Sequence, residues 1–406
     1  MFSTRHAPTR AARRTLPAIA IAMMLSAAAL APAAAADGDV SQLAGDPCNG
    51  GSSNPTFYTN NHRVVTTGGR TLAVWDPHGS DVKIAWRDGT GAWSSKTIFD
   101  NAPDEVANDR PASIALDANG HAWVAWSGYS FAAGKEAPVK LRRLDDLGAA
   151  SGPTVGPITT VQAKDRGNTG VDLQILNGRG YLVWLTRSGD SLYELVTAQF
   201  NPSDTTPVIA DRSVIYSASG SSASATLVPT SAGMRIAARA GSLKIYVHNG
   251  GASWSAGSAA VSFPSKSKPS AVEFGGEIYV AFQSAPFNDE IVKVSRFNLS
   301  GSSVSTSLTT SGSRYVQPVL AAGGGKLFVV MVQKGTVRTV VSRSFNGTSW
   351  GGDVTEISAQ VTNGGDFAYP NTETQISGGR LRFIVDGKRC PSSNQRNAVL
   401  GYDRAA

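Results

Sequence analysis

The sequence predicts an all-β fold, a seven-bladed β-propeller made of four-stranded antiparallel blades. Three observations lead to this prediction: a turn followed by an apolar run occurs seven times, the copies lie near fifty residues apart, and long amphipathic helical stretches are missing. Repeats of about 50 residues are typical of kelch and sialidase-type propeller blades. A single blade cannot bury both faces of its sheet, so we expect the copies to stack.

The repeated motif is a small turn and an apolar run, as in "NGHAWVAW" and "NGRGYLVW". Successive copies are 43 to 58 residues apart. The copies end at Trp75, Trp126, Trp184, Arg239, Phe282, Met331 and Val385. Because the run is apolar at consecutive positions, it is typical of a strand that neighbouring blades cover on both faces.

Two further segments with strand character flank each copy. A short strand such as "PASIAL" (111–116) precedes it, and an alternating strand such as "DVKIAW" (81–86) follows it. A turn residue such as Asn201, Asn298 or Asn346 then leads into a weak last strand, because Asn side chains favour tight turns. Four strands in each repeat predict one blade.

The seventh copy lacks a fourth strand of its own. Only three residues follow its third strand at 398–403. The segment between Asp37 and Asn61 can supply the missing strand, for instance through 56–59. Pairing both ends of the chain in one blade removes exposed strand edges. We therefore predict that the last blade is completed by the N-terminal segment.

The first 36 residues have the features of a secretory signal peptide. Four arginines precede an apolar run at 16–30, and Ala34 to Ala36 supply a small-residue cleavage site. The apolar run is too short to be a good membrane span. We predict a signal peptide over 1–36, a single propeller domain over 37–406 and a secreted, extracellular protein. Because Arg13 and Arg14 are adjacent, both the general secretory and the twin-arginine routes stay open.

The charge of the chain gives little support for nucleic-acid or membrane binding. The full sequence has 37 basic and 30 acidic residues, a net charge of +7. Without the four arginines of the signal segment, 33 basic residues face 30 acidic ones, and the net charge falls to +3. We therefore expect neither a nucleic-acid nor a membrane partner.

The two cysteines, Cys48 and Cys390, lie near opposite ends of the mature chain. In an exported protein, two such cysteines predict one disulfide that joins the ends. The alternative is a pair of buried thiols.

A candidate binding mouth is formed by residues just ahead of the predicted innermost strands. Its members are His62, Arg110, Arg166, Lys268, Arg314, Tyr315 and Tyr369. A basic ring with tyrosines suits an acidic sugar or an acidic protein loop, because guanidinium groups bind carboxylates with two hydrogen bonds. The simpler interpretation is that these loops are polar because they are exposed to water.

No catalytic residue is assigned from the sequence. A sialidase site could be imitated by Arg110, Arg166 and Arg314 with a tyrosine, but glutamate is scarce there and the arginine motif of that family is not visible. A polysaccharide lyase would use His62 or a tyrosine as its base. An enzyme acting on an acidic glycan, a lyase or a glycosidase, is therefore the alternative function. No two histidines have ligand spacing, so we predict no metal site and no cofactor.

Three turn segments, 88–93, 249–254 and 346–350, resemble the Asp boxes of sialidase-type propellers. The mature chain as a whole is similar in size and layout to secreted actinobacterial seven-bladed propellers of the dispase autolysis-inducing kind. This resemblance implies a non-catalytic interaction protein that induces autolysis of a neutral metalloprotease and is a glutamine substrate of a secreted transglutaminase. We expect a monomer.

Under this resemblance, exposed glutamines are the candidate acyl donors. Gln42 precedes Cys48 in an irregular leader, and the other four fall in predicted loops. The candidates are Gln42, Gln283, Gln333, Gln360 and Gln395. A third hypothesis, a lectin, would need equivalent sugar sites between blades, and the repeats share no such polar set.

Overall fold

The structure is a computed structural model. It describes residues 39–44, 62–75, 81–99, 112–127, 138–163, 167–188, 192–219, 223–257, 261, 268–283, 290–310, 314–336, 338–358, 367–387 and 398–406. All of these residues belong to one compact unit, Ala33–Ala406. No membrane-spanning helix is found in the described ranges.

The described strands form seven sheets of four antiparallel strands each, which confirms the predicted fold class. The first four blades run in chain order from the innermost to the outermost strand. Blade one consists of β2 (Val64–Thr67), β3 (Arg70–Trp75), β4 (Val82–Asp88) and β5 (Ser94–Phe99). Blade two consists of β6 (Ala112–Leu116), β7 (Ala122–Ser127), β8 (Val139–Asp145) and β9 (Thr154–Gln162). Blade three consists of β10 (Gly167–Leu176), β11 (Arg179–Ser188), β12 (Leu192–Phe200) and β13 (Ala210–Ser219). Blade four consists of β14 (Ser224–Thr230), β15 (Gly233–Ala240), β16 (Ser242–Gly250) and β17 (Ser253–Ala256).

The remaining three blades include the one that holds the first and last strands. Blade five consists of β18 (Ser270–Phe274), β19 (Glu277–Gln283), β20 (Val292–Phe297) and β21 (Ser303–Thr309). Blade six consists of β22 (Arg314–Gly323), β23 (Lys326–Lys334), β24 (Arg338–Phe345) and β25 (Val354–Ile357). The seventh sheet consists of β26 (Ala368–Thr372), β27 (Arg380–Gly387), β28 (Ala398–Ala405) and β1 (Asp39–Ala44).

In the seventh sheet, β1 pairs antiparallel with β28. Asp39 lies opposite Asp403 at one end of the pair, and Ala44 lies opposite Val399 at the other. Residues 56–59, which the sequence analysis offered for the missing strand, lie outside the described part of the chain.

The repeated motif forms the second strand of every blade. Its seven end positions all lie in second strands, and none is more than 9% exposed. In β3, Leu72 and Val74 pack against blade two, while Ala73 and Trp75 pack against blade seven. The strand is apolar at consecutive positions because both of its faces are covered.

Among the described residues, one buried hydrophobic cluster lies between each pair of neighbouring blades. The cluster between blades seven and one contains Leu43 of β1 and Val399 of β28, packed with Trp75 of β3. The blades therefore follow each other in a closed ring.

The turns that follow the third strands confirm the predicted role of asparagine. Asn346 Oδ1 accepts the N–H groups of Thr348 and Ser349, each at 2.9 Å. Asn201 Oδ1 accepts the N–H of Ser203 at 3.1 Å. These bonds satisfy backbone groups that the turn takes out of the sheet.

Candidate functional site

The first strand of each blade is an edge strand of its sheet, and its free edge bonds to an adjacent blade. Ile114 N donates to His62 O at 2.6 Å, so that blade two is joined to blade one. Between later blades, side-chain oxygens accept hydrogen bonds from backbone N–H groups of the adjacent blade. Leu173 N donates to Ser113 Oγ, Leu227 N to Asp172 Oδ2 and Leu320 N to Ser270 Oγ. The edges that meet at the centre of the ring are thus satisfied by adjacent blades.

Asp172 on β10 is the centre of a polar cluster that joins four blades. It is fully buried. Its carboxylate accepts from His62 Nδ1 at 2.7 Å, Ser113 Oγ at 3.0 Å and Thr226 Oγ1 at 2.9 Å. Leu227 N is a fourth donor at 2.8 Å. We call Asp172, His62, Ser113 and Thr226 the Asp172 cluster.

A bulge in β10 positions Asp172. The pairing of β10 with β11 shifts register between Thr169 and Asp172, and Gly170 within this stretch has φ 64°. β22 has a similar register shift, in which Gln317 has φ 55°. A bulge re-aims the side chains that follow it. We attribute the inward position of the Asp172 carboxylate to this local geometry.

The electrostatics of the cluster favour an ionised carboxylate. Burial alone would raise the pKa of Asp172, but its interactions with His62 and Lys268 hold the pKa well below the usual range for aspartate. Burial lowers the pKa of Lys268 to about 8, with Asp172 acting in the opposite direction and Arg63 adding to the decrease. Lys268 Nζ also donates to Gly170 O at 3.4 Å. A buried anion and a buried cation therefore lie near the centre of the ring.

Next to the Asp172 cluster is a cavity of about 290 Å³, which we call the axial cavity. It lies toward the ends at which the first strands of blades two, three and four finish. Its lining includes His62, Thr66, Leu116, Gln174, Pro229 and Glu373. Within the described structure, His62 Nε2 is buried and has no hydrogen-bond partner.

Glu373 belongs to the same wall of the axial cavity as His62. The two residues form an antiparallel bridge between blades seven and one. Arg382 Nη1 lies 3.2 Å from Glu373 Oε2. Burial raises the pKa of Glu373, and the charge of Arg382 offsets this only in part.

The structure brings two of the predicted mouth residues together and places two others apart. His62 and Lys268 both interact with Asp172. Arg314 is exposed at the start of β22. Tyr315 is buried in the cluster between blades five and six, and its hydroxyl donates to Asp353 Oδ2 at 2.5 Å.

The other predicted mouth positions are outside the described residues in whole or in part. Arg110 and Arg166 are not among the described residues, and for Tyr369 only the backbone, in β26, is described. The mouth as a ring of basic residues therefore stays a prediction.

Three of the candidate glutamines lie in strands rather than in loops. Gln42 is in β1 opposite Leu400. Gln283 is the last residue of β19, and Gln333 is within β23. Gln360, Gln395, Cys48 and Cys390 are outside the described residues, so the predicted disulfide stays a prediction. No group of three or more His, Cys, Asp or Glu side chains in the described structure is arranged to hold a metal ion.

Sequence reasoning missed Asp172 and Glu373. Asp172 interrupts the apolar run of β10, and a charged residue inside an apolar strand is a usable signal of a buried polar site. Glu373 follows β26 and has no comparable signal in the sequence.

Comparison with known proteins shows the fold only. No protein-family model matches the sequence, and no curated protein matches it. The endosialidase of phage phi92 has a TM-score of 0.51 at 9% identity, with 91% of this chain and 69% of that chain covered. A sialidase from Trypanosoma rangeli in complex with the inhibitor DANA has a TM-score of 0.47 at 13% identity, with 87% of this chain and 60% of that chain covered. The NanB sialidase from Streptococcus pneumoniae has a TM-score of 0.46 at 12% identity, with 88% of this chain and 70% of that chain covered. The aligned part of this chain spans less than two thirds of the length of the Trypanosoma enzyme. The structures that resemble this seven-bladed β-propeller thus include sialidases.

Proposed function

We propose that the protein is a secreted, non-catalytic propeller that binds extracellular proteins. The observation that supports this proposal is the saturation of Asp172, whose carboxylate receives four donors from the backbone and side chains of three other blades and has no exposed surface. A catalytic carboxylate has to exchange a proton or meet a substrate. Asp172 instead holds blades together.

Tyr315 supports the same proposal. A tyrosine nucleophile needs an accessible hydroxyl, whereas Tyr315 is buried and its hydroxyl donates to Asp353. Arg343 lies 5.4 Å from the centre of the Tyr315 ring and also bonds to Asp353. A carboxylate and a tyrosine hydroxyl, two groups expected at a catalytic mouth, are thus hydrogen-bonded to other residues of the propeller.

The partner class follows from the sequence resemblance. We propose a neutral metalloprotease, which the propeller induces to digest itself, and a transglutaminase that modifies an accessible glutamine. The candidate acyl donors are Gln42, Gln283, Gln333, Gln360 and Gln395. Of these, Gln42, Gln283 and Gln333 lie in hydrogen-bonded strands, which is less favourable because transglutaminases need a flexible site.

Mixing the purified mature protein with a neutral metalloprotease tests the proposal. We expect intact protease to disappear faster than in its absence, as followed by electrophoresis, and no loss when the protease is inhibited by a chelator. Arg314→Ala is expected to slow this effect severalfold if the predicted mouth is the contact surface. Lys326→Ala is the matched control, because Lys326 is exposed at the other end of the β22–β23 hairpin. A protease that stays intact at every propeller concentration would contradict the autolysis proposal.

A second candidate function is an enzyme that acts on an acidic glycan. The observation that favours it is the convergence of His62 and Lys268 on Asp172. An imidazole oriented by a carboxylate is suited to act as a general base, and a neighbouring cation can bind a uronate carboxylate. New unsaturated uronate ends, detected as a rise in ultraviolet absorbance with an acidic polysaccharide, would establish this function and overturn the non-catalytic proposal.

A further inference from the structure

The axial cavity has the size and lining of a small-molecule site. Its volume of about 290 Å³ is just below the roughly 300 to 1,000 Å³ typical of ligand pockets, as suits a small ligand. Leu116 and Pro229 give it apolar wall area, and Gln174 gives it an amide group. A ligand with both a hydrocarbon surface and several polar groups would match such a lining.

One buried polar atom in the cavity wall needs a hydrogen-bond partner. His62 Nδ1 bonds to the Asp172 carboxylate, so Nε2 is the ring nitrogen left to bond to a ligand. His62 is 1% exposed, and its Nε2 has no partner in the described structure. Leaving such a buried atom unpaired is unfavourable, so a hydroxyl or a water molecule bonded to it in the cavity would be stabilising.

The charges around the cavity favour a neutral ligand. Glu373 lies opposite His62 in the bridge between blades seven and one, and residues directly opposite in an antiparallel pair point to the same face. Arg382 balances the charge of Glu373, with 3.2 Å between their atoms. An added anion would be repelled by the carboxylate of Glu373, and an added cation by the guanidinium of Arg382 behind it, whereas a hydroxyl group can bond to the carboxylate.

We infer that the axial cavity binds one neutral, polyhydroxylated small molecule of the size of a single sugar ring, with a hydroxyl hydrogen-bonded to His62 Nε2. Most of the cavity lining lies toward the opposite ends of the inner strands from those that bear the predicted mouth, and His62 belongs to both. Binding of a small molecule there does not require the protein partner proposed above.

Nuclear magnetic resonance of the full mature protein, labelled with ¹⁵N in its histidine side chains, tests the inference. The probes are glucose, galactose and mannose, with glucuronate and inorganic phosphate as charged comparators. We expect at least one neutral sugar to shift the His62 Nε2 signal with saturation at one ligand per chain. Neither charged probe should do so.

Substitutions at two neighbouring residues test whether the sugar binds in the axial cavity or elsewhere on the propeller. Thr66→Phe fills the cavity and is expected to weaken sugar binding at least tenfold. Thr67→Phe is the matched control, because Thr67 is the next residue of β2 and is not part of the lining. Gln174→Leu, which keeps the size of the side chain, provides a second cavity variant if Thr66→Phe does not fold.

The inference is overturned if no neutral sugar shifts the His62 signal, or if only glucuronate or phosphate does. Binding to folded Thr66→Phe as tight as binding to the native protein would also overturn it. Because these measurements need no metalloprotease, their outcome is separate from that of the autolysis test.

Discussion

His62 and Asp172 are 110 residues apart in the chain, yet His62 Nδ1 and Asp172 Oδ1 are 2.7 Å apart. The histidine precedes the first strand of blade one, and the aspartate lies on the first strand of blade three. Both side chains are buried. The two residues belong to different blades, so their hydrogen bond forms only when those blades have assembled.

Asp172→Asn should strongly destabilise the fold. The substitution keeps the size of the side chain but removes the charge that faces His62 and Lys268, and breaking a buried ion pair typically costs about 3 to 5 kcal/mol. The measurement is the free energy of unfolding in urea.

Asp211→Asn is the control for this prediction. Asp211 pairs with Arg179 near the surface, where the two side chains are 30% and 50% exposed. Exposed pairs contribute less than about 1 kcal/mol, so the variant should unfold close to the native midpoint. An equal decrease in the free energy of unfolding in Asp172→Asn and Asp211→Asn would show that the Asp172 cluster has no special role in stability.

Lys268 should make the protein more stable as the pH rises above 8. Its folded-state pKa is about 8, below the ordinary value of 10.5. Between these two values the unfolded chain holds the proton more tightly, so the free energy of unfolding increases with pH by up to about 3 kcal/mol. Below pH 8 the lysine is charged in both states and the increase is absent.

Lys268→Met should remove this increase, as measured by urea unfolding at several pH values from 7 to about 10.5. The exposed Lys326→Met variant should keep the native pH dependence. A Lys268→Met profile parallel to the native one would contradict the assignment of the increase to Lys268.

Leu43→Ala should loosen the pairing of β1 with β28. Leu43 is 4% exposed and packs in the cluster between blades seven and one, and leucine-to-alanine changes in cores cost about 2 to 5 kcal/mol. Native-state hydrogen exchange should show faster exchange of the β28 amides. Val304→Ala, at a position that is 45% exposed on β21, should leave this exchange unchanged. Unaltered β28 protection in Leu43→Ala would mean that β1 does not hold this blade.

Asn346→Ala should cost about 1 kcal/mol, because the turn loses the acceptor for the N–H groups of Thr348 and Ser349. Thermal unfolding measures the effect. Thr348→Ala keeps the backbone donor and is expected to unfold near the native temperature. If both variants unfold at the same temperature, the hydrogen bonds of Asn346 contribute little to the stability of the turn.

The fold was predictable from sequence because its main signal is local. The second strands are apolar at consecutive positions, and residues such as Ala73 and Trp75 pack on the opposite side of β3 from Leu72 and Val74. Seven such runs at similar spacing indicate the number of blades without any knowledge of long-range contacts.

The candidate site was less predictable because it depends on contacts between distant blades and on bulges. Asp172 meets His62 only when the ring is formed, and neither residue has a local signal for the other. Tyr315 was expected in a loop ahead of a strand at 317–322. The strand instead begins at Arg314 and contains a register shift, so the Tyr315 side chain packs inside the blades.

The pairing of β1 with β28 places Asp39 beside Asp403. A short peptide linker from Ala406 to Asp39 would therefore span neighbouring points of one sheet. A circularly permuted chain opened at the Gly324–Gly325 turn would split blade six in place of blade seven. The linear order of the blades along the polypeptide is thus separable from the arrangement that they adopt in space.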